Sequence, residues 1–395
     1  MVADLTSTLK RTQSQPIAVK GFLIATTLTL SMLLRRNMSC QGATFPCGDL
    51  CLLMRNLPTK NDVPLSFQRL GLVLLWASLA LPCVLLGEPP EQCDPARVLG
   101  AGTCAKCHAA ETEVWKATPH FRTFDTLHRT PRAKEIASKL AVSSIKRSEL
   151  CASCHYTQQQ SEGKLKTVAG ISCESCHGAA RDWLALHNDF GPSVASRAKE
   201  SPPHRTQRIE QSTAAGMRNP ANLYAIARSC LACHTVPNEK LVNVGGHVTG
   251  SADFNFVAWS QGKVKHTFLS HGGRNGPSSP DRLRVMYVLG VIADLEFSTR
   301  ATGEATQKAR YGLTAAQRSV AAALRLQAIQ ATLQHPQLAE VLTAFAEAEL
   351  RTNNAELLNA IADRIRQAGL QLAEQLDGQQ LTFLDAQLPP PSTYK

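Results

Sequence analysis

A five-residue pattern, Cys-x-x-Cys-His, occurs four times between Cys104 and His234. In chain order the copies, motifs 1 to 4, are Cys104-Ala-Lys-Cys107-His108, Cys151-Ala-Ser-Cys154-His155, Cys173-Glu-Ser-Cys176-His177 and Cys230-Leu-Ala-Cys233-His234. In such a pattern both cysteines bond to the vinyl groups of a haem, and the histidine binds its iron. The chain is therefore predicted to carry four covalently attached haem c groups.

A zinc site or a redox-active Cys-x-x-Cys is the competing interpretation of these motifs. A zinc ribbon pairs two Cys-x-x-Cys units without a histidine after each one, and a thioredoxin-like site is found once beside a βαβ unit. Four copies, each followed by histidine, favour haem attachment over both alternatives.

The sixth ligand of each iron separates electron carriers from catalysts. Beyond residue 87 the sequence holds only Met217 and Met286, too few methionines for four irons. Bis-histidine ligation is therefore expected for most haems. The favoured distal ligands are His120, His187, His247 and His266; the weaker candidates are His128, His204 and His271, and His335 is expected to be structural.

Two apolar runs, Gly21–Leu34 and Leu70–Leu86, precede the motifs. We expect residues 54–87 to be a signal peptide that starts at Met54 and is cleaved after Ala80 or near Gly87. Residues 1–53 are then an over-extended N-terminus. Export to the periplasm agrees with haem attachment, which takes place outside the cytoplasm. The alternative is an uncleaved segment that anchors the protein in the membrane.

The expected fold is mainly α. A haem-binding domain with little regular sheet is predicted over residues 88–278, and an α-helical hairpin or bundle over 279–387, followed by a disordered tail at 388–395. Because motifs 2 and 3 begin only 22 residues apart, they must share one core. The polar stretches Ser196–Ser212 and Lys263–Arg274 are expected to be solvated loops.

Several local patterns predict helices in the C-terminal region. The pattern of Asp281–Arg300 predicts a helix. Thr314 to Gln317 is predicted to form the capping box of a second helix, which reaches about Leu333. Pro336 suits the first turn of the next helix. A last helix starts near Asn353 and is expected to end before Gly378. Its predicted buried face consists of Leu358, Ile361, Ala362, Ile365 and Leu372.

Composition does not point to nucleic acid as a partner. The formal net charge is +11, but residues 1–87 contribute part of it, and four haems subtract about 4 charges through their propionates. Local basic patches can still steer an acidic redox protein. Cys93 either pairs with Cys83 in a small disulfide or remains alone.

Two segments resemble the cytochrome c-554 family of periplasmic tetrahaem cytochromes. They are Gly102 to His108 with Trp115, Lys116 and His120, and Gly170 to Gly178 with His187. The resemblance implies a mainly helical fold, haems in close stacked or perpendicular pairs, and mostly bis-His ligation, with one five-coordinate haem in the best-known member. Family members accept electrons from hydroxylamine oxidation in ammonia-oxidising bacteria. This chain departs from the family pattern at Ala179-Ala180 and in its additional C-terminal region.

Three functions are consistent with the sequence. The favoured one is electron transfer between redox proteins, which requires no catalytic side chain. The alternatives are an enzyme with one open iron that reduces a small nitrogen oxide, and a redox subunit that docks onto a larger oxidoreductase through its C-terminal helices. No P-loop, dinucleotide fingerprint or Ser-His-Asp arrangement suggests other chemistry.

Overall fold

The computed structural model describes residues 93–192, 197–250, 254–267 and 269–395. This part of the chain is mainly α, and its strands form one two-stranded sheet, which confirms the predicted fold class. The predicted signal peptide and extended N-terminus lie outside the described residues. No helix of the described part is both long and apolar enough to cross a membrane.

The motif region consists of short helices joined by loops and one hairpin. In chain order its elements are α1 Ala101–Ala105, α2 Ala109–Lys116, α3 Pro119–Thr126, α4 Pro131–Lys139, α5 Glu149–His155, β1 Thr157–Ser161, β2 Lys164–Ala169, α6 Cys173–His177, α7 Leu184–His187, α8 Pro202–Ala214, α9 Leu223–His234, α10 Glu239–Asn243 and α11 Phe256–Ser260. Single turns of 3-10 helix cover Leu127–Arg129, Arg197–Lys199 and Leu269–His271.

The antiparallel hairpin of β1 and β2 joins motif 2 to motif 3. Its two-residue turn has positive φ at Glu162 and Gly163, as the tight turns of hairpins require. Where the strands separate, the Thr157 hydroxyl donates to the Gly170 carbonyl at 2.7 Å and lies 3.0 Å from the Ser172 hydroxyl. Motifs 2 and 3 are therefore tied together at the base of the hairpin.

The expected loop at Ser196–Ser212 is wrong over much of its length, because α8 begins at Pro202. Two prolines occupy the first turn of α8, where proline costs no hydrogen bond. The Arg208 guanidinium also donates to both Glu200 oxygens at 2.7 Å, which holds the preceding loop against the helix. The described residues of Lys263–Arg274, by contrast, form mostly loop.

Four long helices form the C-terminal bundle: α12 Pro280–Glu304, α13 Arg310–Leu333, α14 Pro336–Ala346 and α15 Ala355–Gln375. The predicted role of Pro336 is confirmed, and the five residues expected on the inner face of α15 are all buried. The predicted capping box at Thr314 is wrong. Helix α13 already begins at Arg310, and the Thr314 hydroxyl donates back to the Arg310 carbonyl within the helix.

The bundle and the motif region share one hydrophobic core. Tyr224 and Leu231 of α9 and Phe256 of α11 lie in the same buried cluster as the inner faces of α12 and α15. Buried Glu296 of α12 accepts hydrogen bonds from the Tyr224 hydroxyl and the Arg228 guanidinium, both at 2.9 Å. The sequence boundary near residue 279 is therefore not a boundary between separate cores.

The last eight residues, predicted to be disordered, fold back onto α11. The Lys395 amide donates to the Ala258 carbonyl at 3.0 Å, and the Lys395 carbonyl accepts from the Lys263 amide at 2.7 Å. Leu388 and Tyr394 pack against the shared core. The disordered tail was predicted from composition, which carries no information about these contacts. They depend on the position of free backbone carbonyls in α11.

The shared core predicts that damage to the bundle destabilises the motif region. We expect Leu372→Ala, at a fully buried side chain, to cost about 2–5 kcal/mol of unfolding free energy. Denaturant unfolding of the haem-loaded protein, followed by far-UV circular dichroism and by haem absorbance, should show both transitions shifted equally.

The matched control is Leu324→Ala, since Leu324 is 48% exposed on the same bundle and its loss should cost no more than about 0.5 kcal/mol. A haem-absorbance transition that stays at its wild-type midpoint in Leu372→Ala would contradict a shared core.

Candidate haem-binding sites

Each motif coincides with a short helix or a helix end. Motifs 2, 3 and 4 form the last turns of α5, α6 and α9, and motif 1 spans the end of α1 and the residue that precedes α2. Residues i, i+3 and i+4 of a helix share one face. Both cysteines and the histidine of each motif can therefore reach the same planar group.

The structure places each proximal histidine opposite a histidine from elsewhere in the chain. The distances between ring centroids all fall between 6.1 and 6.4 Å. The four pairs are His108 with His187, His155 with His247, His177 with His266, and His234 with His120.

This separation fits two imidazoles that bind one iron from opposite sides. An imidazole nitrogen lies about 2.0 Å from a bound first-row metal ion and the ring centroid roughly 1.1 Å further back, so two axial rings have centroids about 6.2 Å apart. The angles between the ring planes range from 32° to 71°, which this geometry allows because each ring can rotate about the nitrogen–iron axis. The residues present therefore fit four haem irons.

All four favoured distal candidates are members of these pairs. Of the others, His204 contacts the Glu200 carboxylate at 2.8 Å, and His335 precedes α14 and accepts from the Gln337 amide at 3.2 Å, which agrees with a structural role. His128 faces a surface cleft, and the side chain of His271 is outside the described part.

Burial keeps several of the paired imidazoles neutral. It lowers the pKa of His155, His177 and His234 to about 4 in each case, and it also lowers the pKa of His120 and His187. Because a metal binds the neutral imidazole, these side chains are in the ligand form at neutral pH.

Contacts between cysteines show which motifs adjoin. Cys104 of motif 1 contacts Cys173 of motif 3, and Cys154 of motif 2 contacts Cys233 of motif 4. The contact with Cys233 lowers the pKa of the Cys154 thiol to about 7. Cys176 and Cys230 also lie close enough to interact electrostatically. Through these cysteine side chains the motifs are linked in the order 1, 3, 4, 2.

A buried carboxylate joins motif 1 to motif 3. Glu174, inside motif 3 and 1% exposed, accepts three backbone hydrogen bonds of 2.7–2.9 Å, from the amides of Leu99, Gly100 and Ala180. Gly100 is the residue that precedes α1. The sequence analysis did not assign this role, although Glu174 is the only acidic residue inside any of the four motifs.

Arg218 supports motif 3 from the other side and was also missed. Its guanidinium donates to the carbonyls of Cys176 at 2.9 Å and Ser175 at 2.8 Å, and its amide donates to the His177 carbonyl at 2.8 Å. A Cβ on Gly178, which has φ of 90°, would lie 2.2 Å from the Gly216 carbonyl oxygen. The tight packing of this loop explains the glycine after the motif.

Motif 4 is enclosed by aromatic rings and by the bundle. Phe254 stacks on the His234 ring at 4.9 Å, and Trp259 meets it edge-on at 5.0 Å. Arg318 of α13 donates to the His234 carbonyl at 3.4 Å and forms a buried ion pair with Asp294. No sequence pattern indicated these contacts, since they come from helices far along the chain.

Cys93 lies outside the motifs. Its thiol donates to the Glu174 carbonyl at 2.7 Å, and burial raises its pKa to about 11. Cys83, its alternative disulfide partner, lies outside the described residues.

The motif region is similar in sequence to known proteins. Residues 103–178 match the family model described as cytochrome c554 and c-prime. Cytochrome c-554 from Nitrosomonas europaea is 27% identical over 111 residues, which cover 26% of this chain. The match spans 47%, about half, of that relative's length. No solved structure matches the chain at a significant level.

The motif region is therefore similar to the cytochrome c-554 family of c-type cytochromes, which supports covalently bound haem c at these motifs.

Proposed function

We propose that this protein is an exported tetrahaem cytochrome that carries electrons between redox proteins, with every haem iron held between two histidines. The observation that carries the proposal is the common separation of 6.1–6.4 Å in four His–His pairs. Each haem, when bound, supplies a one-electron Fe(III)/Fe(II) couple.

Two imidazoles on each iron suit electron transfer rather than catalysis. A six-coordinate iron has no free position for a small ligand, and the axial ligands set its potential. Both methionines beyond residue 87 are engaged elsewhere. Met217 packs with Ala180 and Trp183, and Met286 lies in the shared core.

The order 1, 3, 4, 2 supports a continuous path for electrons. Cysteine side chains of successive motifs lie in contact or close together, so the groups they hold are neighbours. The two ends of the path are motifs 1 and 2.

The C-terminal bundle supports motif 4 in this proposal. Its helices supply Glu296 to Arg228 of α9, and Arg318 to the carbonyl of His234. These contacts hold in place the helix backbone that carries the proximal histidine. The location follows from haem attachment outside the cytoplasm together with the expected signal peptide.

The first test is the state of the irons. Protein produced in a host that matures c-type cytochromes should carry the mass of four haems, and its oxidised EPR spectrum should show only low-spin iron. A high-spin component that binds carbon monoxide after reduction would instead favour the enzyme alternative.

Removal of one distal histidine should leave one haem iron without its sixth ligand. We expect His120→Gly to produce one high-spin haem that binds carbon monoxide, with the low-spin signal restored by added imidazole. His204→Ala is the control, because His204 pairs with Glu200 and not with a proximal histidine. An unchanged spectrum in His120→Gly would contradict this ligand assignment.

The buried negative charge of Glu174 should lower the reduction potentials of haems 1 and 3, which lie next to it. Glu174→Gln removes a negative charge that favours the ferric state, so the potentials of haems 1 and 3 should rise in a spectroelectrochemical titration while those of haems 2 and 4 stay unchanged. Glu113→Gln, at an exposed glutamate of α2, is the control. Identical titration curves for wild type and Glu174→Gln would exclude this role.

A further inference from the structure

We propose that the surface around His247 is the site where an acidic redox protein docks and exchanges electrons with haem 2. This inference rests on the proposed function, since it requires a haem between His155 and His247. It adds the place of exchange and the charge of the partner.

Motif 2 is at one end of the order 1, 3, 4, 2, and its distal histidine is flanked by exposed apolar side chains. Val244 is 55% exposed and Val248 63% exposed. Both belong to the loop that carries His247, whose Nδ1 lies 2.8 Å from the Val248 carbonyl oxygen. Exposed apolar groups beside a haem ligand provide the dry contact that a partner needs for close approach.

A basic segment adjoins this loop. Residues 129–147 contain six Lys or Arg and one Glu. Ile136 of helix α4 and Leu140, the residue that follows this helix, pack against Gly245, and Arg132 donates to the Gly246 carbonyl. The charges are therefore next to His247.

The single acidic residue of this segment does not neutralise it. Glu135 pairs with both Arg132 and Lys139 at 2.7 Å, so two cations share one carboxylate. Lys134 of helix α4 lines a cleft of about 440 Å³ together with His128, Lys146, Ser138, Ser143 and Ser144. The cleft offers cationic and hydroxyl donors to the carboxylates of a partner.

The opposite end of the path carries a smaller net charge. Residues 106–116, around His108, contain two Lys and two Glu, and residues 181–189, around His187, contain one Arg and two Asp. Residues 197–208, whose Arg208 donates to the His187 carbonyl at 2.8 Å, add four Lys or Arg and one Glu. Since complementary charge steers encounter and fixes orientation, an acidic partner should dock at motif 2 rather than at motif 1.

The test uses reduced plant-type [2Fe–2S] ferredoxin, an acidic protein, as electron donor to the oxidised haem-loaded cytochrome in a stopped-flow experiment. The docking variant is Lys134→Glu with Lys139→Glu. The control carries the same charge change at the motif 1 end, Arg181→Glu with Arg205→Glu, both at exposed positions.

At low ionic strength the docking variant should react about tenfold more slowly than wild type, and the difference should disappear at high salt. The control variant should stay within about twofold of wild type. A wild-type rate in the docking variant, or an equal loss in both variants, would overturn the proposal.

Haem content and EPR spectra of all three proteins are measured before the rates. Fewer than four low-spin haems in the wild type would contradict the proposed function itself. Four low-spin haems in all three proteins with no charge effect on the rate would contradict only the docking site.

Discussion

The common distance between paired imidazoles, which fits two ligands of one iron, is the constraint on which this structure depends. It recurs four times, and each time it joins distant parts of the chain: His120 of α3 lies opposite His234 of α9, and His177 of α6 opposite His266. In the proposed haem-loaded protein each iron would close a long loop of polypeptide, which by itself costs chain entropy. Covalent attachment at the motifs and coordination by the distal histidines would together replace much of the core that short helices cannot supply.

The remainder of the fold keeps these pairs in place. Glu174 and Arg218 bind the backbone on either side of motif 3, and Glu174 also holds the start of α1. The hairpin at Thr157 connects motifs 2 and 3, while α9 carries motif 4 into the core of the bundle. Buried polar groups are costly unless their partners are fixed, so these bonds specify how the four motifs lie relative to each other.

The local part of this arrangement could be predicted from sequence. The motifs, the mainly α class and the inner face of α15 follow from spacing and periodicity. Histidine count and scarcity of methionine led to His120, His187, His247 and His266, but not to which proximal histidine each one faces. That pairing, the order of the motifs and the role of Glu174 depend on contacts between distant segments. The same reason explains the errors at Thr314, where α13 had already begun, and at the C-terminal tail, which finds backbone partners near α11.

The most direct test of the central claim is to locate the iron atoms. Anomalous diffraction at the iron edge from crystals of the haem-loaded protein should show four peaks, each midway between the imidazoles of one of the four His–His pairs. Fewer than four peaks, or an iron with only one histidine beside it, would contradict the account.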